Sequence, residues 1–331
     1  MRYYIVAETE WSQHLNRFLS EYELYAPVKN TETESYDYEQ ITAETIDSIY
    51  YNGNTPTTPL KTFYLPIKEN VVNIKENQPR IVIGVPNCDL AALNILDNIY
   101  LDDDYIDPCY KQNRDNTVIF GKDCYTYKKS CHCTSYSLKP YPQENCDVSM
   151  SITDGMIYLC PMSDKGESLL KKHKITDNKS VDTIPETIIS KRQDVVNNLQ
   201  NQNKNLPDEK NTRISIEKSS EELWDKYSDK CVSCGACSFI CPTCHCFLLI
   251  DKEHFEKVRS VDVCQYPGFA RVAAGEDPLH YLNKRFKYRY LCKYCYKPDM
   301  FKALACTGCG RCIDACIGKI DKNELILESF K

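Results

Sequence analysis

Two cysteine runs in the C-terminal third, Cys231-Val-Ser-Cys234-Gly-Ala-Cys237-Ser-Phe-Ile-Cys241-Pro242 and Cys306-Thr-Gly-Cys309-Gly-Arg-Cys312-Ile-Asp-Ala-Cys316, share the spacing C-x2-C-x2-C-x3-C. Three closely spaced thiolates hold one face of a 4Fe–4S cube, and in two-cluster ferredoxins the fourth cysteine of each run ligates the other run's cluster. The expected sets are therefore Cys231, Cys234 and Cys237 with Cys316, and Cys306, Cys309 and Cys312 with Cys241. Such crossing makes the two runs fold around each other.

Two other uses of cysteine are weighed against this one. Disulfide frameworks belong to small secreted domains, whereas this chain has 331 residues and opens on Met1-Arg-Tyr-Tyr-Ile-Val-Ala, without an apolar signal region. Zinc favours paired C-x2-C knuckles about fifteen to twenty residues apart. Clusters and free thiolates persist in reducing surroundings, so a cytoplasmic, anaerobic setting is expected. A net charge of −6 argues against nucleic acid as a partner. No apolar run has the length of a membrane span.

The chain reads as α+β. Residues 1–161 form a mixed α/β domain, 162–217 a polar connector and 218–331 a largely helical, dicluster ferredoxin-like domain with an insertion at about 247–305. Tyr3–Ala7, the β-branched run Arg80–Val85 and Asn116–Phe120 read as strands. Trp11 to Tyr25 and Leu90–Leu96 read as helices. Ser219-Ser220-Glu-Glu offers an N-cap to a helix that delivers the chain to Cys231. The connector, rich in Lys, Asn, Asp and Gln, is expected to be flexible near Asn198–Lys210, and Phe247–Ile250 to be a short core segment. The basic–aromatic stretch Asn283–Tyr290 suits a solvated helix, or a contact of Lys284, Arg285, Lys287 and Arg289 with an acidic partner, better than RNA.

The N-terminal half holds Cys88, Cys124, Cys131 and Cys133 at strand ends and in loops, where cofactor ligands often stand. Their spacing alone leaves open buried thiols acting as small hydrophobes and a metal or cluster site. The segments Asn87-Cys88-Asp89-Leu-Ala-Ala-Leu, Cys131-His-Cys133-Thr-Ser135 and Cys241-Pro-Thr-Cys244-His-Cys246-Phe247 resemble the family that unites an iron–sulfur subunit of anaerobic sulfite reductases with the beta subunits of cytosolic sulfhydrogenases. The resemblance runs from about Pro59 to Asp321. It implies an iron–sulfur subunit wiring a flavin-bearing, NAD(P)H-oxidising partner to a terminal reductase or hydrogenase subunit. It also implies a third 4Fe–4S cluster on Cys88, Cys124, Cys131 and Cys133. Three departures stand out: Val85-Pro86-Asn87 replaces the family's Arg-containing turn, Cys-His-Cys its Cys-Phe-Cys, and Ile317 its closing Pro.

Cys109, Cys146 and Cys160 read as buried thiols. Cys244 or Cys246 with Cys264, Cys292 and Cys295 is a possible set for a fourth cluster, and His132 and His245 are expected to donate hydrogen bonds near clusters. No G-x-G-x-x-G or G-x-x-x-x-G-K-[ST] loop occurs, so neither flavin nor NAD is expected on this chain. No catalytic arrangement of residues is recognisable. The chain is expected to supply cofactors and a path for electrons, the alternative being a self-contained iron–sulfur enzyme or redox sensor with an open iron.

Overall fold

The computed structural model describes residues 2–331. The N-terminal half is built on strands β1 (Tyr3–Ala7), β2 (Glu23–Lys29), β3 (Tyr36–Ile41), β4 (Lys68–Asn70), β5 (Arg80–Pro86), β6 (Thr117–Lys122), β7 (Val148–Thr153) and β8 (Met156–Pro161). Its helices are α1 (Glu8–Leu19), α2 (Asn87–Tyr100) and α3 (Pro108–Asp115). All these strands except β4, with β9 (Ser180–Val181), form an 8-stranded sheet in the order β3-β2-β5-β6-β7-β8-β1-β9. Its middle, β2-β5-β6-β7, is parallel and its flanks are antiparallel.

The continuous apolar run in β5 follows from burial on both faces. Ile81 and Ile83 pack with Trp11, Leu15 and Phe18 of α1 on one side, and Val82 and Val85 with Leu90, Leu93 and Leu96 of α2 on the other. A bulge between Ile83 and Val85 shifts the alternation and lets Val82 and Val85 share a face. Strands β5 and β6 lie in register to their ends, Pro86 opposite Lys122. Cys88 and Cys124 each follow two residues later, at the carboxyl edge of a parallel sheet, where α/β folds place ligands.

After α4 (Asp164–Lys172) come α5 (Glu186–Gln202), α6 (Glu209–Lys218), α7 (Glu221–Ser228) and α8 (Ala236–Phe239). Strands β10 (Phe247–Asp251) and β11 (Lys257–Val261) precede α9 (Leu282–Leu291), a π-helical turn (Cys292–Tyr296), α10 (Lys297–Phe301), α11 (Arg311–Asp314) and α12 (Lys322–Phe330). Ser220 caps α7 by accepting from the Leu223 amide. Trp224 of α7 packs with Phe286, Tyr290 and Tyr294 and with Leu325 and Ile326 of α12, forming the core behind the cysteine runs. Among the described residues no helix is long and apolar enough to cross a membrane.

Three expectations need correction. Helix α1 ends at Leu19, and Tyr25 lies in β2. The stretch Asn198–Lys210 is no loose tether: Leu199 is buried against Cys131 and Tyr125, and Gln202 and Asn203 donate to the Cys131 carbonyl at 3.0 and 2.9 Å. Phe247–Ile250 is exposed at every position: β10 is an edge of a separate 3-stranded sheet, β10-β11-β4, and its side chains join none of the core clusters. Strand β4 comes from the N-terminal half, so this sheet joins the two halves of the chain.

Candidate metal centres

Helices α8 and α11 each begin at a glycine in the left-handed region, Gly235 and Gly310, and each follows the first two cysteines of its run. Cys231, Cys234, Cys237 and Cys316 line one cavity, with Cys312 at its inner wall. Cys306, Cys309, Cys312 and Cys241 line a second. The fourth cysteine of each run thus stands with the other run's three. Cys88, Cys124, Cys131 and Cys133 line a third cavity, whose wall includes Gly308 and Cys309. Among the described residues no group of three or more His, Cys, Asp or Glu side chains is arranged to hold a single metal ion. Rings of thiols around cavities fit a group larger than one ion.

Cys244, Cys246, Cys264 and Cys292 line a further cavity. Cys295 instead joins the core beside Tyr294. Cys109, Cys146 and Cys160 are buried, Cys146 among the apolar side chains of α2.

Residues 230–320 match the 4Fe-4S dicluster domain family. The chain is also similar over almost its whole length to a curated relative, the sulfhydrogenase 2 subunit beta of Pyrococcus furiosus. The two are 26% identical over 341 residues, covering 99% of this chain and 98% of the relative. The family resemblance carried by the cysteine motifs is borne out by both findings.

Close approach of backbones ties the dicluster domain to the N-terminal cysteine loop. The His132 amide donates to the Gly308 carbonyl at 2.8 Å. A Cβ on Gly308 would stand 2.5 Å from the Cys133 Cα and N, and one on Gly310 would stand 2.4 Å from the Ser130 Oγ. Both glycines also have positive φ. Their presence answers to the neighbouring chain as well as to their own turn.

Cations buried beside the thiols are the feature that sequence reasoning missed. Lys322 is 3% exposed, and its Nζ donates to Cys306 Sγ at 3.3 Å, the Tyr294 hydroxyl at 2.8 Å and His132 Nε2 at 2.7 Å. Lys293 Nζ donates to Cys241 Sγ and Thr243 Oγ1, both at 3.0 Å. Arg289 lines the first and second cavities and donates to the Cys237 carbonyl at 2.9 Å. Arg311 forms a buried bidentate pair with Asp89, next to Cys88, at 2.5 and 2.8 Å. A buried ammonium or guanidinium is costly without a counter-charge; Asp89 supplies it to Arg311, and the neighbouring cysteine sulfurs face Lys293 and Lys322.

The thiols respond. A hydrogen bond from Cys244 and the nearby Lys293 ammonium hold the Cys241 thiol well below its ordinary range. Burial pushes Cys306 upward, yet the Lys322 charge, His132 and a hydrogen bond from Tyr294 together outweigh it and leave that thiol well below its ordinary value. No local signal in the sequence marks these lysines, because their targets lie far away along the chain.

Each of the two histidines meets a buried lysine. His132 Nδ1 faces the Ser130 carbonyl at 2.8 Å, so it carries the proton and Nε2 accepts from Lys322. Lys322 also donates to the Cys306 sulfur. His245 Nδ1 faces Lys297 Nζ at 2.9 Å, and burial, followed by the Lys297 charge, lowers its pKa to about 3. The basic stretch is corrected too. Arg285 and Arg289 are buried, with Arg285 donating to the Gln265 and Leu279 carbonyls. Lys284 and Lys287 both pair with Glu221, at 2.9 and 2.7 Å. It offers no free cationic face for docking.

Proposed function

We propose that this chain is an iron–sulfur electron-transfer subunit of a multisubunit oxidoreductase, working between a flavin- and NAD(P)H-binding subunit and a terminal reductase or hydrogenase subunit. Cys231, Cys234, Cys237 and Cys316 would hold one 4Fe–4S cluster, and Cys306, Cys309, Cys312 and Cys241 a second. Cys88, Cys124, Cys131 and Cys133 would hold a third. Bound there, the clusters supply one-electron redox chemistry.

The single observation that carries this reading is the sharing of cavity walls. Cys312, Arg289 and Lys322 face both the first and the second cavity, and Cys309 faces both the second and the third. Neighbouring sites thus share wall side chains, the arrangement a continuous path needs. The chain's own residues would bind the cofactors through thiolates, offset their negative charge with Lys293, Lys322 and Arg289, and cover one wall of the third site with Leu199 of α5. The relative's name describes a subunit, which supports a role within an assembly.

The test compares the anaerobically isolated chain with the complex in which it co-purifies. Dithionite should bleach the cluster absorbance of both. NAD(P)H should bleach only the complex that includes the flavoprotein. Rapid bleaching of the lone chain by NAD(P)H, or turnover of a substrate by it, would overturn the proposal.

A further inference from the structure

The cavity lined by Cys244, Cys246, Cys264 and Cys292 has a volume of about 200 Å³, against about 40, 20 and 20 Å³ for the other three cysteine-lined cavities. A single water needs only about 10–15 Å³. The site is built from separate pieces of chain. Cys244 and Cys246 precede β10, Cys264 follows β11, and Cys292 opens the π-helical turn after α9. Single π turns inside α-helices are rare and mark functional positions. Here the turn sets Cys292 and Lys297 on the cavity wall, while Cys295 joins the core.

The charge around this cavity is out of balance. Arg289, Lys293 and Lys297 line it, each no more than 5% exposed. Lys61, also buried, reaches in from the N-terminal half to the Cys244 carbonyl at 2.8 Å. Lys297 spends its bonds on a neutral carbonyl and a neutral imidazole, Thr243 O at 2.7 Å and His245 Nδ1 at 2.9 Å. Arg289 Nε has no partner at all. The acid on the wall, Asp262, accepts from the neighbouring Val263 amide at 2.7 Å. Lys293 also meets the Cys241 thiol, but Lys297 and Lys61 donate only to neutral groups, and buried cations so placed call for an anionic occupant or anionic ligands.

The third site supplies a precedent within the same molecule. Its Cys131-His132-Cys133 is matched by Cys244-His245-Cys246, and in each the histidine accepts from a buried lysine, Lys322 or Lys297. A four-cysteine zinc site would hold its sulfurs about 3.8 Å apart, given bonds of about 2.3 Å in a tetrahedron. No such grouping occurs among the described residues.

We propose that Cys244, Cys246, Cys264 and Cys292 hold a further 4Fe–4S cluster, ligated by four thiolates and charge-compensated by Lys293, Lys297 and Arg289. On ligation the Cys244 thiol loses its proton, and so its hydrogen bond to Cys241. Arg289 and Lys293 also line the second cavity, so this site adjoins the central one and gives the path a branch. The inference rests on the dicluster reading for its neighbours but not for its own ligands.

The test measures iron, acid-labile sulfide and zinc in the anaerobically isolated full-length chain and in Cys264→Ala, Cys292→Ala and Cys295→Ala. The wild-type chain should hold about sixteen iron and about sixteen sulfide, at about four of each per cubane. Cys264→Ala and Cys292→Ala should each lose about four of each, and Cys295→Ala none. Iron content unchanged in both cavity variants, or one zinc lost from them instead, would overturn the proposal while leaving the other three clusters standing. Should the variants not fold, native mass spectrometry of the wild-type chain decides: the added mass of four clusters supports the proposal and that of three refutes it. A wild-type chain without iron would refute the dicluster reading itself.

Discussion

Replacing Lys322 by Met removes a buried positive charge from the second cysteine site while keeping a side chain of similar length. Its Nζ lies 3.3 Å from Cys306 Sγ, and at 3% exposure the residue gains little from solvent screening. Reduction adds one negative charge to the bound cluster, so the cation stabilises the reduced form and its loss lowers the potential. With the added electron centred about 6 Å from Nζ and an effective permittivity of about 20, the interaction is about 3 kcal/mol. At about 59 mV per 1.4 kcal/mol for one electron, this corresponds to a fall of about 120 mV. An EPR-monitored redox titration of the anaerobic protein reads the shift directly. One cluster should move by about this amount, its neighbours should move less, and Lys322→Arg should recover most of the change. A titration in which no cluster moves would refute the placement of the second cluster beside Lys322.

Gly308→Ala places a methyl group against Cys133, 2.5 Å from its Cα and N, and forces an alanine into the left-handed region at a cost of about 1–2 kcal/mol. Iron analysis should show loss of the third cluster. Arg192→Gln frees Asp123, which Arg192 holds at 2.9 and 3.0 Å beside Cys124. Breaking a fully buried pair costs about 3–5 kcal/mol; here Arg192 is part-buried and Asp123 keeps the Tyr125 hydroxyl, so the thermal midpoint of the holoprotein should fall by less than that cost implies. Lys284→Gln with Lys287→Gln removes two exposed pairs to Glu221, each worth less than about 1 kcal/mol. Iron content and the salt dependence of partner binding should both be unchanged, and a flattened salt response would restore a docking role to this helix.

How much of this site can be read along the chain depends on how local its ligands are. Six of the eight dicluster cysteines lie in two tight loops, so spacing alone predicts their sets, crossing included. Cys88 and Cys124 are 36 residues apart, yet each lies two residues beyond the end of a parallel strand, and strand ends can be read from β-branched runs such as Arg80–Val85. The last set is harder. Cys292 and Cys295 look equivalent in a helical stretch, and only the π turn separates a cavity thiol from a core thiol. Lys322 and Lys293 resemble ordinary surface lysines because what buries them comes from other segments. Arg285 and Arg289 misled for the same reason: a basic helix reads as solvated until Gln265 and Cys237 supply carbonyls for it. Phe247–Ile250 misled in the opposite sense, since apolarity alone cannot tell a core strand from an exposed edge.

The cross-ligated pair of clusters is tested most directly by iron-edge anomalous diffraction from anaerobically grown crystals of the full chain. The account predicts one iron peak among Cys231, Cys234, Cys237 and Cys316, and a second among Cys306, Cys309, Cys312 and Cys241. Density joining Cys241 to the cluster of Cys231, or no iron at either position, would contradict it.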